Sequence, residues 1–296
     1  LIALNTAREV HQIRSYNIRE SVIYYTPQMH HCLNKAIQIV GLGECICRLI
    51  PVNERFEMNT GALKQQLEQD VAAGLSPFLI IATAGTTDTG AVDPLEKIAE
   101  LSQRYNTWYH VDAAYGGFFL LVDEMKEKLR GIDRADSVVM DPHKGLFLPF
   151  GTGVILIKDG QALVKTHSEK ANYMIDAYGL DEINPADCGP ELTKHFRGLR
   201  MWLPLHLHGL QAFRACLEEK VFLCRYFHEE IQQLGFEVGP PPALSVTLFR
   251  YPAPDPDTFN KALLEAIHKD ARYFLSSTLI EGELWIRCAV LNFLFC

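Results

Sequence analysis

Lys144 and Asp112 are the side chains whose placement could do chemistry. Lys144 stands in Asp141-Pro142-His143-Lys144-Gly145, behind the apolar run Ser137-Val138-Val139-Met140 and ahead of Pro149-Phe150-Gly151-Thr152-Gly153. A lysine at the end of a buried strand is costly as a charge, and that cost favours the neutral amine, a nucleophile that forms Schiff bases. Asp112 ends a second apolar run, Trp108-Tyr109-His110-Val111, and leads into Ala113-Ala114-Tyr115-Gly116-Gly117. Each has an ordinary reading alone. A lysine after a strand is more often a solvated strand end, and an aspartate before two alanines is more often a turn or cap residue. Together, two strand ends of one sheet would carry a lysine for an aldehyde and an acid for a pyridine nitrogen. Pyridoxal phosphate needs both.

The elements that must position these groups alternate along the chain. Residues 1–14 have helical spacing, and Ser21-Val22-Ile23-Tyr24-Tyr25 is a short apolar strand. Thr26-Pro27 predicts a helix start, with Thr26 as N-cap and Met29, Leu33, Ile37 and Val40 on one face. His30 would sit in its first turn, where the helix dipole disfavours an imidazolium; a capping or surface histidine is the ordinary reading. A strand near residues 45–49 precedes Asn59-Thr60-Gly61 and a helix with Leu63, Leu67 and Val71 at four-residue spacing. Residues 77–83 make a fully apolar strand, and Asp93-Pro94-Leu95-Glu96 reads as a capping box opening the next helix. This alternation predicts crossover connections and a mainly parallel sheet with ligands at the carboxyl ends of its strands. Thr87, Asp112 and Lys144 all follow such ends.

After a strand at 153–157 the pattern loosens, and residues 165–190 lack sustained apolar periodicity, as in a long functional loop. Leu210, Phe213, Leu217, Val221 and Ile231 mark a long helix bridging to a second region. Beyond Pro240-Pro241-Pro242, a strand at 244–251, a helix through Phe259, Leu263 and Ile267, and strands near Tyr273 and at 284–290 predict a small α+β unit. The expected division is a large domain over 1–208, and the bridging helix with the small domain over 209–296.

Composition narrows the classes. A chain of 296 residues with 48% hydrophobic content can bury one large core and a smaller one. The formal charge of −8, from 36 acidic and 28 basic side chains, offers no footprint for a nucleic-acid backbone, so no nucleic-acid partner is expected. No apolar stretch reaches the roughly 18 residues of a membrane helix, so no membrane partner is expected. Eight cysteines, mostly in apolar runs, predict packed free thiols in a reducing cytoplasm. Alternation would put Cys45 and Cys47 on one strand face near no second pair, so no metal site is expected.

The segments Ala82-Thr83-Ala84-Gly85-Thr86-Thr87, His110-Val111-Asp112-Ala113-Ala114-Tyr115 and Asp141-Pro142-His143-Lys144 resemble the signature blocks of the group II pyridoxal-phosphate-dependent amino-acid decarboxylases. That family includes the aromatic-L-amino-acid, histidine and glutamate decarboxylases, and the similarity runs in order along nearly the whole chain. It implies a fold-type I α/β enzyme, active as a homodimer, that converts an L-amino acid into the amine and carbon dioxide through a Schiff base at Lys144. It further implies that Asp112 holds the pyridine nitrogen, that His30 stacks on the ring, and that Ala114 packs on the other face. Thr87 would meet the ring hydroxyl, and His143 the cofactor or its phosphate. A tyrosine in the 165–190 loop would be the proton donor, Tyr178 before Tyr173. Arg197, in the block Phe196-Arg197-Gly198-Leu199-Arg200-Met201-Trp202, is open to a carboxylate-pairing or a structural role. Against relatives the chain looks truncated at both ends: Leu1 would follow the phosphate-holding turn, and Leu294-Phe295-Cys296 stands where relatives continue with another helix. An aminotransferase or an aldehyde-forming oxidative relative would share Asp112 and Lys144, and a non-catalytic fragment is a third reading.

Overall fold

The computed structural model describes residues 1–169 and 183–291. Its larger sheet has six strands in the order β2-β1-β3-β4-β5-β6. These are β1 (Ser21–Tyr25), β2 (Ile46–Leu49), β3 (Ser76–Thr83), β4 (Trp108–Asp112), β5 (Ser137–Met140) and β6 (Val154–Ile157). All neighbours run parallel except the antiparallel β5–β6 pair. The central strands β3 and β4 are buried on both faces because helices cover both sides of the sheet. Successive residues feed opposite cores. Ile80, Ala82, Tyr109 and Val111 pack with Leu63, Leu67 and Ile98, from helices α3 (Thr60–Ala72) and α4 (Leu95–Tyr105). Leu79, Ile81 and Trp108 pack with Leu4 and Leu33, from α1 (Ile2–Val10) and α2 (Cys32–Ile39). Each fully buried aliphatic side chain contributes roughly 1.5–3 kcal/mol, so the strand–helix alternation is held from both sides.

A short turn, α5 (Pro142–Gly145), follows β5, and α6 (Gly160–His167) follows β6. The long α7 (Gly198–Gln233) leaves helical geometry at Gly209, where φ is 70° and ψ 167°, a conformation that glycine adopts without strain. Its later half seats Leu217 and Val221 in the first core and lays Phe227 and Ile231 against a second sheet. That sheet is antiparallel, in the order β7-β8-β10-β9, from β7 (Glu237–Val238), β8 (Val246–Arg250), β9 (Ser276–Ile280) and β10 (Glu283–Ala289). Helix α8 (Pro256–Asp270) covers it through Leu264 against Phe249 and Ile286. Among the described residues no helix is long and apolar enough to cross a membrane.

Several local expectations fail where a tertiary partner outbids the local pattern. Thr26-Pro27 forms a turn, with Met29 N–H donating to the Thr26 carbonyl at 3.1 Å, and α2 begins only at Cys32. Asp93 caps nothing in α4; it is 2% exposed, and its two oxygens take the Met58 and Thr83 N–H groups, each at 2.7 Å. Val71 is half exposed because Asp70 turns inward instead, accepting from the Tyr24 hydroxyl at 2.8 Å and pairing with Arg48 at 2.7 Å. Tyr273 precedes β9 rather than lying in a strand. Cys45, just before β2, is buried in the second core, while Cys47 within β2 is exposed.

Candidate functional site

Parallel register brings the chemistry to one edge. Thr83 pairs with Asp112, and Asp112 with Val139, so β3, β4 and β5 all finish at one edge of the sheet. The Asp141 N–H donates to the Ala114 carbonyl at 3.1 Å, tying the start of α5 to the segment after β4. A cavity of about 800 Å³ opens there, and His30, Thr87, Asp112, Ala114, Asp141 and Lys144 line it. The first residues of α1 also reach its wall.

Asp112 is 7% exposed, and its Oδ1 accepts the Ala114 N–H at 3.1 Å. Burial pushes its pKa up, against the pull of that bond and of Lys144 and His30, while Asp141 adds to the rise. No protein donor meets its Oδ2 among the described residues. His30 is not in a helix turn: its Nδ1 accepts the Cys32 N–H at 3.3 Å, which places the proton of the neutral ring on Nε2. Burial lowers its pKa first, then His31 and Lys144, with Asp112 and Asp88 opposing.

Lys144 departs from the sequence argument. Its side chain is 39% exposed, not buried, and Nζ lies 3.0 Å from Asp141 Oδ2. An ion pair therefore replaces the burial cost. The signal was in the sequence: aspartate three residues before lysine, with proline between them at the first helical position, puts both side chains on one face of a turn. His143 turns from the cavity, its Nδ1 donating to the Thr152 carbonyl at 2.7 Å and its Nε2 3.7 Å from Asp141 Oδ2. Arg197 lies 3.6 Å from Glu191 on the surface. Tyr173 and Tyr178 lie outside the described residues.

The residues present fit pyridoxal phosphate. Asp112 is a buried acid with one oxygen awaiting a donor, as a protonated ring nitrogen would supply. Gln28, also in the wall, has a buried Oε1 with no partner among the described residues. A buried polar atom left open is costly without a ligand.

A lysine and a buried carboxylate at the carboxyl edge of a doubly covered parallel sheet define a cofactor-binding α/β site. The family model described as the pyridoxal-dependent decarboxylase conserved domain matches residues 4–251, and the chain belongs to that family. It is 34% identical to an aromatic-L-amino-acid decarboxylase of Bacillus atrophaeus over 99% of this chain and 62% of that one. Tryptophan decarboxylase 2 of Oryza sativa is 28% identical, with 98% and 61% covered. The crystal structure of Oryza sativa TDC with PLP and tryptamine superposes with a TM-score of 0.91 at 26% identity, covering 98% of this chain and 63% of that one. The chain thus spans about three fifths of the length of these relatives.

Proposed function

We propose that this chain is the catalytic part of an enzyme that decarboxylates an L-amino acid to its amine and carbon dioxide. The observation that carries the reading is the shared cavity of Lys144 and Asp112 at the sheet edge of a pyridoxal-dependent decarboxylase domain. When bound, pyridoxal phosphate supplies an aldehyde and a protonated ring that accepts the electron pair of the departing carboxylate. Lys144 anchors that aldehyde. Asp112 keeps a proton on the ring nitrogen, which its burial makes favourable because the ion pair relieves an isolated buried charge. His30 covers one ring face as a neutral imidazole, and Ala114, with only a methyl, leaves room on the other. Thr87, on the cavity wall, meets the ring hydroxyl, whereas His143 stands outside that wall with its Nδ1 held by the Thr152 carbonyl and supports the turn instead. Tyr178 serves as the proton donor.

An aromatic amino acid is the substrate class favoured by the relatives' names and by the apolar part of the wall, which includes Ile2, Leu33 and Ile39. The site is completed by a second copy of the chain. Support comes from exposed Phe150, Phe196, Trp202, Leu207 and Leu210, an apolar surface of the kind that marks association. A large domain over 1–208 and a small one over 209–296 meet at the break in α7 at Gly209. The free state of every described cysteine supports a cytoplasmic setting. The test is a panel of L-amino acids incubated with the protein and pyridoxal phosphate. Equal release of amine and carbon dioxide is expected; keto acid, or aldehyde with no amine, would refute decarboxylation as the outcome.

A further inference from the structure

We propose that Asp141 is a positioning residue for Lys144: its carboxylate is the dock where the lysine ammonium rests whenever Lys144 is not bonded to the cofactor. The role rests on Lys144 being the cofactor lysine. Asp141 stands at the N-cap of α5, where aspartate ordinarily spends its side chain on a helix N–H. Here it makes no such bond. Its Oδ2 instead lies 3.0 Å from Lys144 Nζ, within ion-pair distance. The carboxylate is diverted from the backbone to the lysine.

The turn that holds this pair is fixed at several points. The Asp141 N–H is tied to the Ala114 carbonyl at 3.1 Å, and its own carbonyl accepts from the Lys144 and Gly145 N–H groups at 2.9 and 3.2 Å. The lysine, by contrast, is a flexible stem, 39% exposed, on the cavity wall. A rigid acceptor beside a movable donor suits repeated docking and release. His143 does not compete: its Nδ1 is held by the Thr152 carbonyl, and its Nε2 lies 3.7 Å from Asp141 Oδ2, beyond hydrogen-bond distance. The other ionisable groups near Asp141 are Asp112, at the end of β4, and Cys32, at the start of α2.

The dock also keeps two carboxylates apart in function. Asp112 lines the same cavity and feels the charge of Lys144. A released ammonium with no partner of its own would settle against Asp112 and occupy the acid that the ring nitrogen needs. Asp141 gives that ammonium another place, and Asp112 stays open.

The test uses the 296-residue chain without added phosphate ester. Pyridoxal is captured in the presence of cyanoborohydride, and the extent of labelling at Lys144 is read by peptide mass spectrometry from neutral to alkaline pH. With the carboxylate removed in Asp141→Asn, Lys144 labelling is expected about tenfold faster at a given pH on the rising limb, because the ammonium loses its ion-pair partner. Asp141→Ser, whose hydroxyl suits an N-cap, should give the same increase and carries the test if the asparagine variant does not fold. A carboxylate that only supports the fold would lower the melting temperature and leave the labelling profile in place, which overturns the proposal. Absence of label at Lys144 in the unmutated chain would refute the cofactor-lysine reading itself, so the two failures are told apart.

Discussion

Asp112→Asn should stabilise the cofactor-free protein while weakening the cofactor-bound one. In the folded chain burial raises the pKa of Asp112 above its unfolded value of about 3.9, so the ionised form is penalised on folding. That penalty is full above the folded pKa, shrinks as pH falls between the folded and unfolded values, and is gone below the unfolded value. A buried charge with one backbone hydrogen bond costs about 1–3 kcal/mol, which the amide avoids. For a chain of this size that is a rise in melting temperature of about 2–5 °C at neutral pH without cofactor. With pyridoxal phosphate the sign reverses, because the amide cannot hold the ring proton. Losing a charge-assisted bond of about 1.5–3 kcal/mol weakens cofactor binding roughly ten- to a hundredfold. The assay is thermal unfolding of both proteins, with and without cofactor, at neutral and mildly acidic pH. Variant and wild type are compared at each pH because Asp93, pushed up to about 6 by burial, adds its own slope to both. A variant that melts lower than wild type without cofactor at neutral pH, or a gain that persists on acidification, would refute the reasoning.

Three further outcomes are expected. Lys144→Ala should abolish turnover and borohydride-trapped cofactor alike; a stoichiometric adduct in the variant would place the Schiff base elsewhere. Tyr178→Phe should shift products from amine towards aldehyde, measured by chromatography, and an unchanged ratio would direct the same test to Tyr173. Asp70→Ala leaves the Tyr24 hydroxyl buried without its 2.8 Å partner and Arg48 without its 2.7 Å one. It should cost about 3 kcal/mol in urea unfolding, and a loss under about 1 kcal/mol would show that the network is not structural.

The parallel sheet is legible in the sequence because its central strands are apolar on both faces. A run such as Phe78-Leu79-Ile80-Ile81-Ala82 cannot face water on either side, so it demands helices above and below. Asp112 and the turn carrying Lys144 are legible for the same reason: a polar group straight after such a run stands at the sheet edge, where ligands bind. What local patterns miss is competition from distant donors. Asp93-Pro94-Leu95-Glu96 has the form of a capping box, but the Asp93 carboxylate serves Met58, across 35 positions, and Thr83. Four-residue spacing assigns Val71 to the core, yet the buried face of α3 runs Leu63, Leu67, Asp70, and Asp70 takes the inward place because Tyr24 and Arg48 pair with it. At His30 the imidazole takes the first N–H of α2, and the helix starts five positions after Pro27.

Lys144 shows the same limit at the site itself. Burial of a lone lysine would favour a neutral nucleophile, but the Lys144 side chain is 39% exposed and its Nζ stands 3.0 Å from the Asp141 carboxylate, a partner that the apolar run before it does not reveal. The chemistry then divides between two acids that the sequence shows only as two aspartates. Asp112, 7% exposed and with no cation within bonding distance among the described residues, is the one whose charge seeks a ligand. Asp141 already has its cation, so it cannot also serve the ring nitrogen without giving up Lys144. The assignment of cofactor acid and lysine partner therefore follows from which carboxylate is left unpaired, a property of the folded edge rather than of either motif.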